Sequence, residues 1–581
     1  MTAKEPLLDV TKRIAEYMLT TSLEDPPPKS KRRKRMQGKS AMASILQQEG
    51  VEFVFCFPNN PLIDAAASVG IRPIITRMER GAVNMADGYS RINNGLNPGV
   101  CLVQAGPGIE NAFPGVAQAF ADSTPILMLP GHQGTAREGF SSDFQASRNY
   151  AGVTKWADLI NRTERIPEMM RRAYTHLRLG RPRPVLLEMP SDVLNGEIDE
   201  SQFHYAPVPK HRSAGDPRDV AKVAQSLLRA GRPVIYAGQG VLYAEATPEL
   251  VELAELLNAP VMTTTLGKSG FPEDHYLSLG TGGNSGTKAV GDFLRRADIV
   301  FGIGTSFQNT LASAPVPAGK KVIQSTLNES DLNGEYPLDD IIIGDAKLVL
   351  KQLIDEVKAQ EGENGRRGNG AVAEEIKSVK SEWLAEWMPR LTSDDVPISP
   401  YRDIWELDRG LDKANSIVTH DSGNPRDQMV PFYTATTPRG YIGWGNSTQL
   451  GSGLGLIMGA KLAAPEKIAL NLMGDTAVGM CGTDFETASR NKIGIITVIV
   501  NNGAMGGYEK NIPIAVEKYG SKFTTGDYTK MAESLGCHAE TITQPDQIAP
   551  ALQRAQQISS TGQPVVLEVM TREEAVFSRY Y

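Results

Sequence analysis

The sequence is poor in cysteine, in excess positive charge and in long apolar runs. Its 581 residues include four cysteines, Cys56, Cys101, Cys481 and Cys537, and no two of them are spaced like a metal-binding or redox pair. We therefore expect a reduced, cytoplasmic protein. The longest aliphatic run, residues 493–500, is too short to cross a bilayer, and the N-terminus lacks the apolar segment of a secretory signal.

The balance of charge is also informative. The formal net charge is -7, whereas binding to nucleic-acid phosphates requires a basic surface. We therefore expect neither a nucleic-acid partner nor a membrane partner. At about 150 residues per domain, the length predicts three or four domains.

The chain alternates short β-rich runs with helical patterns. In the first block the runs are at residues 51–57, 100–104, 125–129 and 184–189, with helical patterns such as 80–91 and 110–121 between them. Strands separated by helices favour a parallel sheet with helices on both faces.

Two more blocks repeat this alternation. The second has runs at 233–237, 260–264, 298–304 and 321–325, and the third has runs at 416–420, 468–473, 495–500 and 564–569. A proline-rich stretch at 204–217 and a stretch rich in Gly, Glu and Arg at 360–370 read as linkers. The prediction is an α/β protein with three doubly wound parallel-sheet domains, at residues 37–204, 217–360 and 373–581.

The first 36 residues stand apart from these blocks. Residues 29–35, KSKRRKR, are almost all basic. A nuclear signal or an anion-binding patch is one interpretation. The favoured interpretation is a flexible, solvated basic arm over residues 1–36, because isolated charge runs are commonly disordered.

Polar residues follow two apolar runs of the third block. Residues 468–473 lead into Gly474, Asp475 and Thr476, and residues 495–500 lead into the pair Asn501-Asn502. Neighbouring parallel strands would bring both ends to one sheet edge, where carboxylate, amide and carbonyl oxygens suit Mg²⁺ and a diphosphate. The alternative is two ordinary turns capped by Asp and Asn.

The spacing of these two ends resembles a known motif. Gly-Asp-x followed by 24 residues and Asn-Asn is similar to the thiamine-diphosphate motif, with Thr476 where the family usually has a second glycine. In the first block, residues 76–82 (TRMERGA) and 86–91 (ADGYSR) resemble the glutamate helix of the same family, with Met78 in place of the usual histidine.

Further segments carry the same resemblance. They are GPGIEN at 106–111, DSTPI at 122–126, the Phe-Gln pair at 144–145, LGSGL at 450–454 and GA at 459–460. Over roughly residues 37–581, the chain is identified as a member of the acetolactate synthase-like, 2-oxo-acid decarboxylase-like family of thiamine-diphosphate enzymes.

The resemblance implies a pyrimidine-binding domain, a central domain and a diphosphate-binding domain, in that order. It also implies thiamine diphosphate and Mg²⁺ as cofactors. In the family the cofactor lies between the first domain of one subunit and the last domain of another, which implies a homodimer or a homotetramer. The expected small-molecule partners are a 2-oxo acid and a second carbonyl acceptor.

The resemblance also implies roles for individual residues. Glu79 corresponds to the glutamate that hydrogen-bonds the pyrimidine nitrogen, and Gln145 and His132 are candidates for the substrate pocket. The expected metal ligands are Asp475, Asn502 and the carbonyl of Ala504. The expected cofactor-binding residues are Pro58, Asn59, Gly106, Asn111, Ser422, Gly423, Asn424, Leu450, Gly474, Asp475, Thr476, Ala477, Asn502 and Met505.

Some departures from the family bear on the reaction. Asn59 and Asn60 stand where many synthases carry glycines, which suggests altered substrate recognition. Residues 302–307 lack the arginine that the synthases carry there, so a tightly bound FAD is not expected. We expect decarboxylation of a 2-oxo acid followed by carboligation. One alternative is a 2-oxo-acid decarboxylase or a hydroxyacyl/acyl-CoA-type C–C lyase without carboligation. Another is a catalytically silent, flavin- or nucleotide-binding regulatory relative that keeps the fold.

Overall fold

The computed structural model of the chain describes residues 34–366, 368 and 370–581. Three six-stranded sheets, one in each predicted block, dominate it, and every strand pair within them is parallel. The predicted fold class is therefore confirmed. Within the described residues, no helix is both long and apolar enough to cross a membrane. Residues 1–33 of the predicted arm lie outside the described part of the chain.

The first domain has its sheet in the order β3-β2-β4-β5-β7-β6. Its strands are β1 (Arg35–Gln37), β2 (Phe53–Cys56), β3 (Arg72–Ile75), β4 (Gly99–Val103), β5 (Ile126–His132), β6 (Trp156–Leu159), β7 (Val185–Pro190) and β8 (Glu197–Asp199). Its helices are α1 (Gly38–Gln48), α2 (Leu62–Ser68), α3 (Glu79–Ile92), α4 (Pro107–Ala121), α5 (Ala146–Asn149), α6 (Ile166–Arg178) and α7 (Ser191–Asn195).

The start of the first domain differs from the predicted boundary at residue 37. Strand β1 pairs antiparallel with β8, so that Arg35 lies opposite Asp199 and Met36 opposite Ile198. The guanidinium of Arg35 also lies 3.1 Å from a carboxylate oxygen of Glu197. The end of the predicted arm is thus part of the domain. The sequence did not indicate this, because pairing with a strand 160 residues away leaves no local signal in a run of basic residues.

The central domain has the sheet order β11-β10-β9-β12-β13-β14. Its strands are β9 (Pro233–Ala237), β10 (Val261–Thr264), β11 (Ser278–Gly282), β12 (Ile299–Ile303), β13 (Lys321–Thr326) and β14 (Asp340–Ile343). Its helices are α8 (Pro217–Arg229), α9 (Gly240–Tyr243), α10 (Thr247–Leu257), α11 (Lys288–Arg296) and α12 (Ala346–Glu361).

The third domain has the sheet order β16-β15-β17-β18-β20-β19. Its strands are β15 (Ser416–His420), β16 (Tyr441–Ile442), β17 (Ile468–Gly474), β18 (Ile495–Asn501), β19 (His538–Ile542) and β20 (Val565–Met570). Its helices are α13 (Ala371–Leu391), α14 (Pro400–Gly410), α15 (Asn424–Phe432), α16 (Gly453–Ala463), α17 (Asp475–Cys481), α18 (Phe485–Asn491), α19 (Pro513–Tyr519), α20 (Tyr528–Ser534) and α21 (Ile548–Ser559).

The first and third domains share one hydrophobic core, which joins residues of both sheets. Its centre is the pair of helices α3 and α16, whose backbones approach closely at glycines. A Cβ on Gly88 would collide with the carbonyl of Leu456, and a Cβ on Gly459 would collide with the carbonyl of Met85. This packing fixes Glu79, the first residue of α3, relative to the third domain.

Candidate active site

The polar ends of β17 and β18 meet at one edge of the third sheet. The parallel register places Gly474 beside Val500, so Asp475 and Asn502 leave their strands side by side. Asp475 is 3% exposed, and its carboxylate accepts hydrogen bonds from the Thr476 N–H at 2.8 Å and the Thr524 hydroxyl at 3.0 Å. Burial raises the pKa of this carboxyl above its usual value. A cation at this edge would restore the charged form.

A cavity of about 280 Å³ opens at this edge. All eleven third-domain residues expected to bind cofactor or metal line it: Ser422, Gly423, Asn424, Leu450, Gly474, Asp475, Thr476, Ala477, Asn502, Ala504 and Met505. They come from four loops that lie far apart in the sequence. The structure therefore brings together the third-domain part of the predicted site, while the role of each residue stays a prediction.

The wall of the cavity suits an anion beside a cation. Helix α15 begins at Asn424 directly after Gly423, whose φ of 82° is a conformation that favours glycine. Its first backbone N–H groups, like those of α17, lie at the cavity, where a phosphate group is electrostatically favoured. Thr476 is the second residue of α17 and has right-handed helical geometry, so threonine in place of the family's glycine causes no backbone strain here.

The oxygen donors at the cavity fit a hard cation that shares its coordination with a phosphate. Within the described residues, no three His, Cys, Asp or Glu side chains cluster as a metal site. The expected donors are instead one carboxylate, one side-chain amide and one backbone carbonyl. Mg²⁺ is commonly held by one or two carboxylates together with substrate phosphates and water. The residues present therefore fit Mg²⁺ bound with a diphosphate.

Asp421 organises the loops around this cavity, and the sequence analysis missed it. One carboxylate oxygen accepts from the N–H groups of Ser422 and Gly451 at 2.8 and 2.9 Å, and the other accepts from Gly453 at 2.8 Å. It thereby ties the loop after β15 to the loop that carries Leu450. Burial raises its pKa to about 6. The sequence did contain a signal for this residue, namely an acid directly after a predicted strand and before a turn with glycine.

The first-domain part of the predicted site lies elsewhere in the chain. Glu79 begins α3, is 6% exposed, and accepts a hydrogen bond from the Asn111 amide at 3.2 Å. Gly106, with a φ of 66°, precedes α4, while Pro58 and Asn59 lie exposed after β2. None of the first-domain candidates lines the cavity described above. The predicted site therefore consists of two separate groups of candidate residues in one chain, which we call its half-sites.

Two further candidates, His132 and Gln145, belong to the first domain. His132 ends β5, and its Nδ1 accepts from the Gly134 N–H at 3.2 Å. Gln145 precedes the short helix α5, whose N–H groups at Ala146 and Ser147 each donate at 2.9 Å to the buried carboxylate of Glu188. Glu188 therefore fixes the loop that carries Gln145, although nothing in its sequence context indicated this.

Asn60 has a structural role that the sequence analysis did not anticipate. Its amide donates to the carbonyls of Val103 and Leu129 at 3.0 and 3.1 Å, which joins the end of β4 to the middle of β5. Its side chain is 5% exposed. The expectation that Asn59 and Asn60 alter substrate recognition stays a prediction, and Asn59, with a φ of 77°, is exposed at the loop tip.

His420 is the other histidine that the sequence places at a strand end. It is fully buried, its ring stacks on Trp444 with 5.3 Å between ring centroids, and burial lowers its pKa well below the usual value. It does not line the cavity.

A second cavity, of about 120 Å³, lies at the carboxyl edge of the central sheet. Gly238, Gln239 and Gly240 follow β9 and line it, as does Gly304 after β12. These adjacent strands form the topological switch point of the sheet, where doubly wound domains bind ligands. The expectation that this chain holds no tightly bound FAD stays a prediction.

Comparison with known proteins gives matches along most of the chain. Residues 36–153, 220–353 and 421–569 match the families described as the N-terminal TPP binding domain, the central domain and the C-terminal TPP binding domain of thiamine pyrophosphate enzymes.

Whole-chain relatives agree with these domain matches. A Methanocaldococcus jannaschii protein named probable acetolactate synthase large subunit is 31% identical over 568 residues, which cover 92% of each chain. Glyoxylate carboligase of Escherichia coli O157:H7 is 30% identical, covering 92% of this chain and 93% of that one. The large subunit of acetolactate synthase isozyme 3 of E. coli K12 is 27% identical, covering 90% and 92%.

Proposed function

Because the chain belongs to the family of thiamine pyrophosphate enzymes, we propose that it decarboxylates a 2-oxo acid and joins the remaining acyl carbon to a second carbonyl compound. The observation that carries this proposal is the single cavity lined by Asp475, Asn502 and the loops around them. Relatives named as acetolactate synthases and as a glyoxylate carboligase support bond formation rather than plain decarboxylation.

Thiamine diphosphate, when bound, supplies a carbon nucleophile and an electron sink for decarboxylation. The third domain would hold its diphosphate through Mg²⁺ on Asp475, Asn502 and the Ala504 carbonyl. The backbone N–H groups at the start of α15 would add donors to the phosphate oxygens. Leu450, half-buried at the cavity, would support the middle of the cofactor.

Glu79 would bind a nitrogen of the pyrimidine ring and hold a proton there. Among the residues that the structure describes, its buried carboxylate has one hydrogen-bond partner, the Asn111 amide, which leaves its other oxygen for a ring nitrogen. A hydrogen bond that a charged carboxylate accepts in a buried site is stronger than one in water. Gln145 and His132 are the proposed substrate-side residues.

An assembly of at least two chains is part of the proposal. Glu79 does not line the cavity of its own chain, so a complete site requires the first domain of a second copy. Around the cavity, the segment after Asn502 exposes large apolar side chains, including Tyr508, Ile514, Tyr519 and Phe523. Exposed apolar patches mark interaction surfaces. A homodimer or homotetramer that covers them would complete the site.

Product analysis tests the proposed reaction. The protein is supplied with thiamine diphosphate and Mg²⁺, then with pyruvate, glyoxylate or longer 2-oxo acids, and the products are separated by mass. We expect CO₂ together with a ligated hydroxy compound. Aldehyde as the sole product with every acceptor would favour the decarboxylase or lyase alternative, and no CO₂ with any 2-oxo acid would contradict both.

A further inference from the structure

Two buried polar side chains at the active-site cavity lack a hydrogen-bond partner. Gln428 is 3% exposed and Thr571 is 6% exposed, and both line the cavity. In the described part of the chain, neither the amide of Gln428 nor the hydroxyl of Thr571 forms a hydrogen bond, and their polar atoms are open to the cavity. The hydroxyl of Ser422, by contrast, donates to the carbonyl of Thr448 at 2.8 Å. Because burying a polar group without a partner is costly, both side chains indicate a ligand in the cavity.

Gln428 lies one helical turn after the residues expected to meet the diphosphate. It is four positions after Asn424, the first residue of α15, so the two lie on the same side of the helix. Helical side chains lean toward the N-terminus of their helix. The long side chain of Gln428 therefore extends toward the first turn of α15, whose backbone N–H groups lie at the cavity.

Thr571 lies beside the expected metal ligand Asn502. It directly follows β20, and its backbone N–H donates to the carbonyl of Asn501 at 2.8 Å. Strands β18 and β20 are parallel neighbours, with Asn501 opposite Met570. Thr571 therefore leaves the sheet at the same edge as the polar end of β18, and Val500 of that strand also lines the cavity.

Both positions indicate the phosphate end of the cofactor. They adjoin the elements that carry the expected diphosphate and metal contacts, whereas Leu450, expected at the middle of the cofactor, comes from a separate loop. The guanidinium of Arg572, which also lines the cavity, is paired with Asp395. The donors that remain there are a neutral amide and a neutral hydroxyl, and phosphate oxygens commonly accept hydrogen bonds from such side chains.

We propose that Gln428 and Thr571 donate hydrogen bonds to the terminal phosphate of the cofactor and thereby select thiamine diphosphate over thiamine monophosphate. This inference rests on the proposed function. The metal ion and the first turns of α15 and α17 would meet some of the phosphate oxygens, and the unbridged oxygens of the terminal phosphate need further donors. Thiamine monophosphate has only the inner phosphate, so a contact to the terminal one adds affinity for the diphosphate alone.

The experiment measures binding to the cofactor-free protein by calorimetry, with thiamine diphosphate or thiamine monophosphate, each with Mg²⁺. Gln428→Leu and Thr571→Val remove a donor but keep a side chain of similar size, and Gln428→Glu places a negative charge at the same position. The matched controls are Gln553→Leu and Thr543→Val, whose side chains are exposed in the same domain and do not line the cavity. Thermal unfolding checks the fold of each variant.

We expect Gln428→Leu and Thr571→Val each to lower the affinity for thiamine diphosphate by about 10- to 100-fold, because a hydrogen bond to a charged group is lost. Gln428→Glu should lose more, since a carboxylate repels the phosphate. The affinity for thiamine monophosphate should change by less than about threefold in Gln428→Leu and Thr571→Val, and both controls should match the wild type with either ligand.

Two results would overturn the assignment. One is an unchanged affinity for thiamine diphosphate in Gln428→Leu and Thr571→Val. The other is an equal loss of affinity for both ligands, which would mean that the substitutions deform the cavity. If Gln428→Leu does not fold, Thr571→Val decides between these results, because it keeps the shape of its side chain. A wild type that binds thiamine diphosphate selectively but forms no ligated product would instead refute the proposed function and leave this assignment intact.

Discussion

The carboxylate of Asp484 accepts a hydrogen bond from the backbone N–H of Arg77 at 2.8 Å, which joins the third domain to the turn before Glu79. Asp484 is 1% exposed, and its second oxygen packs against Gly81, two residues beyond Glu79. It lies three residues after the end of α17, whose first residue is Asp475. One short helix thus connects the two half-sites of a chain.

We predict that Asp484→Ala loosens Glu79 without disturbing the metal edge. Loss of this buried acceptor leaves the Arg77 N–H without its hydrogen bond, and the first turn of α3 can then move more freely. Turnover should fall by about 10-fold or more, because misplaced catalytic groups are costly. Calorimetric affinity for Mg²⁺ and thiamine diphosphate should stay within about threefold. Asp484→Asn, whose amide oxygen can still accept from Arg77, is the matched control and should retain more turnover.

Asp475→Ala should abolish tight cofactor binding. The substitution removes the only carboxylate among the expected metal donors, and loss of a ligand should weaken binding by about 100-fold or more. Titration of the cofactor-free protein with thiamine diphosphate, with and without Mg²⁺, measures this. Thr524→Val removes the hydroxyl that donates to Asp475 and should give a smaller loss. Unchanged affinity in Asp475→Ala would place the metal elsewhere.

Glu79→Gln should preserve the fold and the cofactor while turnover collapses. Glutamine can accept a hydrogen bond but carries no charge to favour the required proton position on the pyrimidine. General acid–base roles contribute about 10²- to 10⁴-fold, so kcat should fall by that order with little change in KM. Steady-state kinetics measure kcat and KM, and calorimetry measures the affinity for the cofactor. A kcat near that of the wild type would remove Glu79 from the mechanism.

Mixing two inactive variants tests whether the half-sites combine between chains. In a mixed dimer of Glu79→Gln and Asp475→Ala, one site receives both substitutions and the other receives neither. Statistical exchange should therefore restore about a quarter of the wild-type activity, since half of the dimers are mixed and each has one intact site. Light scattering and labelled subunits verify assembly and exchange. Proven exchange without recovered activity would show that both halves act within one chain.

The fold and the third-domain half-site could be predicted because both depend on local patterns. Buried central strands such as β9, β17 and β18 appear as apolar runs, and the polar residues that follow them must meet at one edge. All six strands at sheet edges, from β3 to β19, were missed. Edge strands such as β6 and β19 are only partly buried, so their sequences lack a continuous apolar run.

Residues that act over long sequence distances could not be predicted. Asp484 contacts Arg77 across 407 positions, and Asn60 bridges two neighbouring strands at positions that lie 43 and 69 residues away. Asp421 was recognisable only as an acid in a turn, because the partner loop at Gly451 follows 30 residues later. Such contacts depend on how domains and loops pack, and packing has no signature within a short window of sequence.

The last prediction concerns Asp403, a buried acid beside the active-site cavity. It lies in the first turn of α14, whose first residue, Pro400, lines the cavity. Its side chain is completely buried, and neither carboxylate oxygen has a hydrogen-bond partner in the described part of the chain. Burial, followed by the charge of Glu406, raises its pKa from 3.8 to about 7. The folded state therefore favours the neutral acid.

This raised pKa predicts how stability depends on pH. The contribution of Asp403 to the free energy of unfolding is fully present below pH 3.8 and is lost as the pH rises through about 7. At about 1.4 kcal/mol per pKa unit, the loss amounts to roughly 4 kcal/mol at most. Asp403→Asn stays neutral, so denaturant unfolding should show a flatter pH profile between pH 5 and 8 and a more stable variant at pH 8. The exposed Asp546→Asn is the control and should follow the wild-type profile. If the pH profile of Asp403→Asn runs parallel to that of the wild type, this acid is ionised in the folded protein, where water or a neighbouring group satisfies its charge.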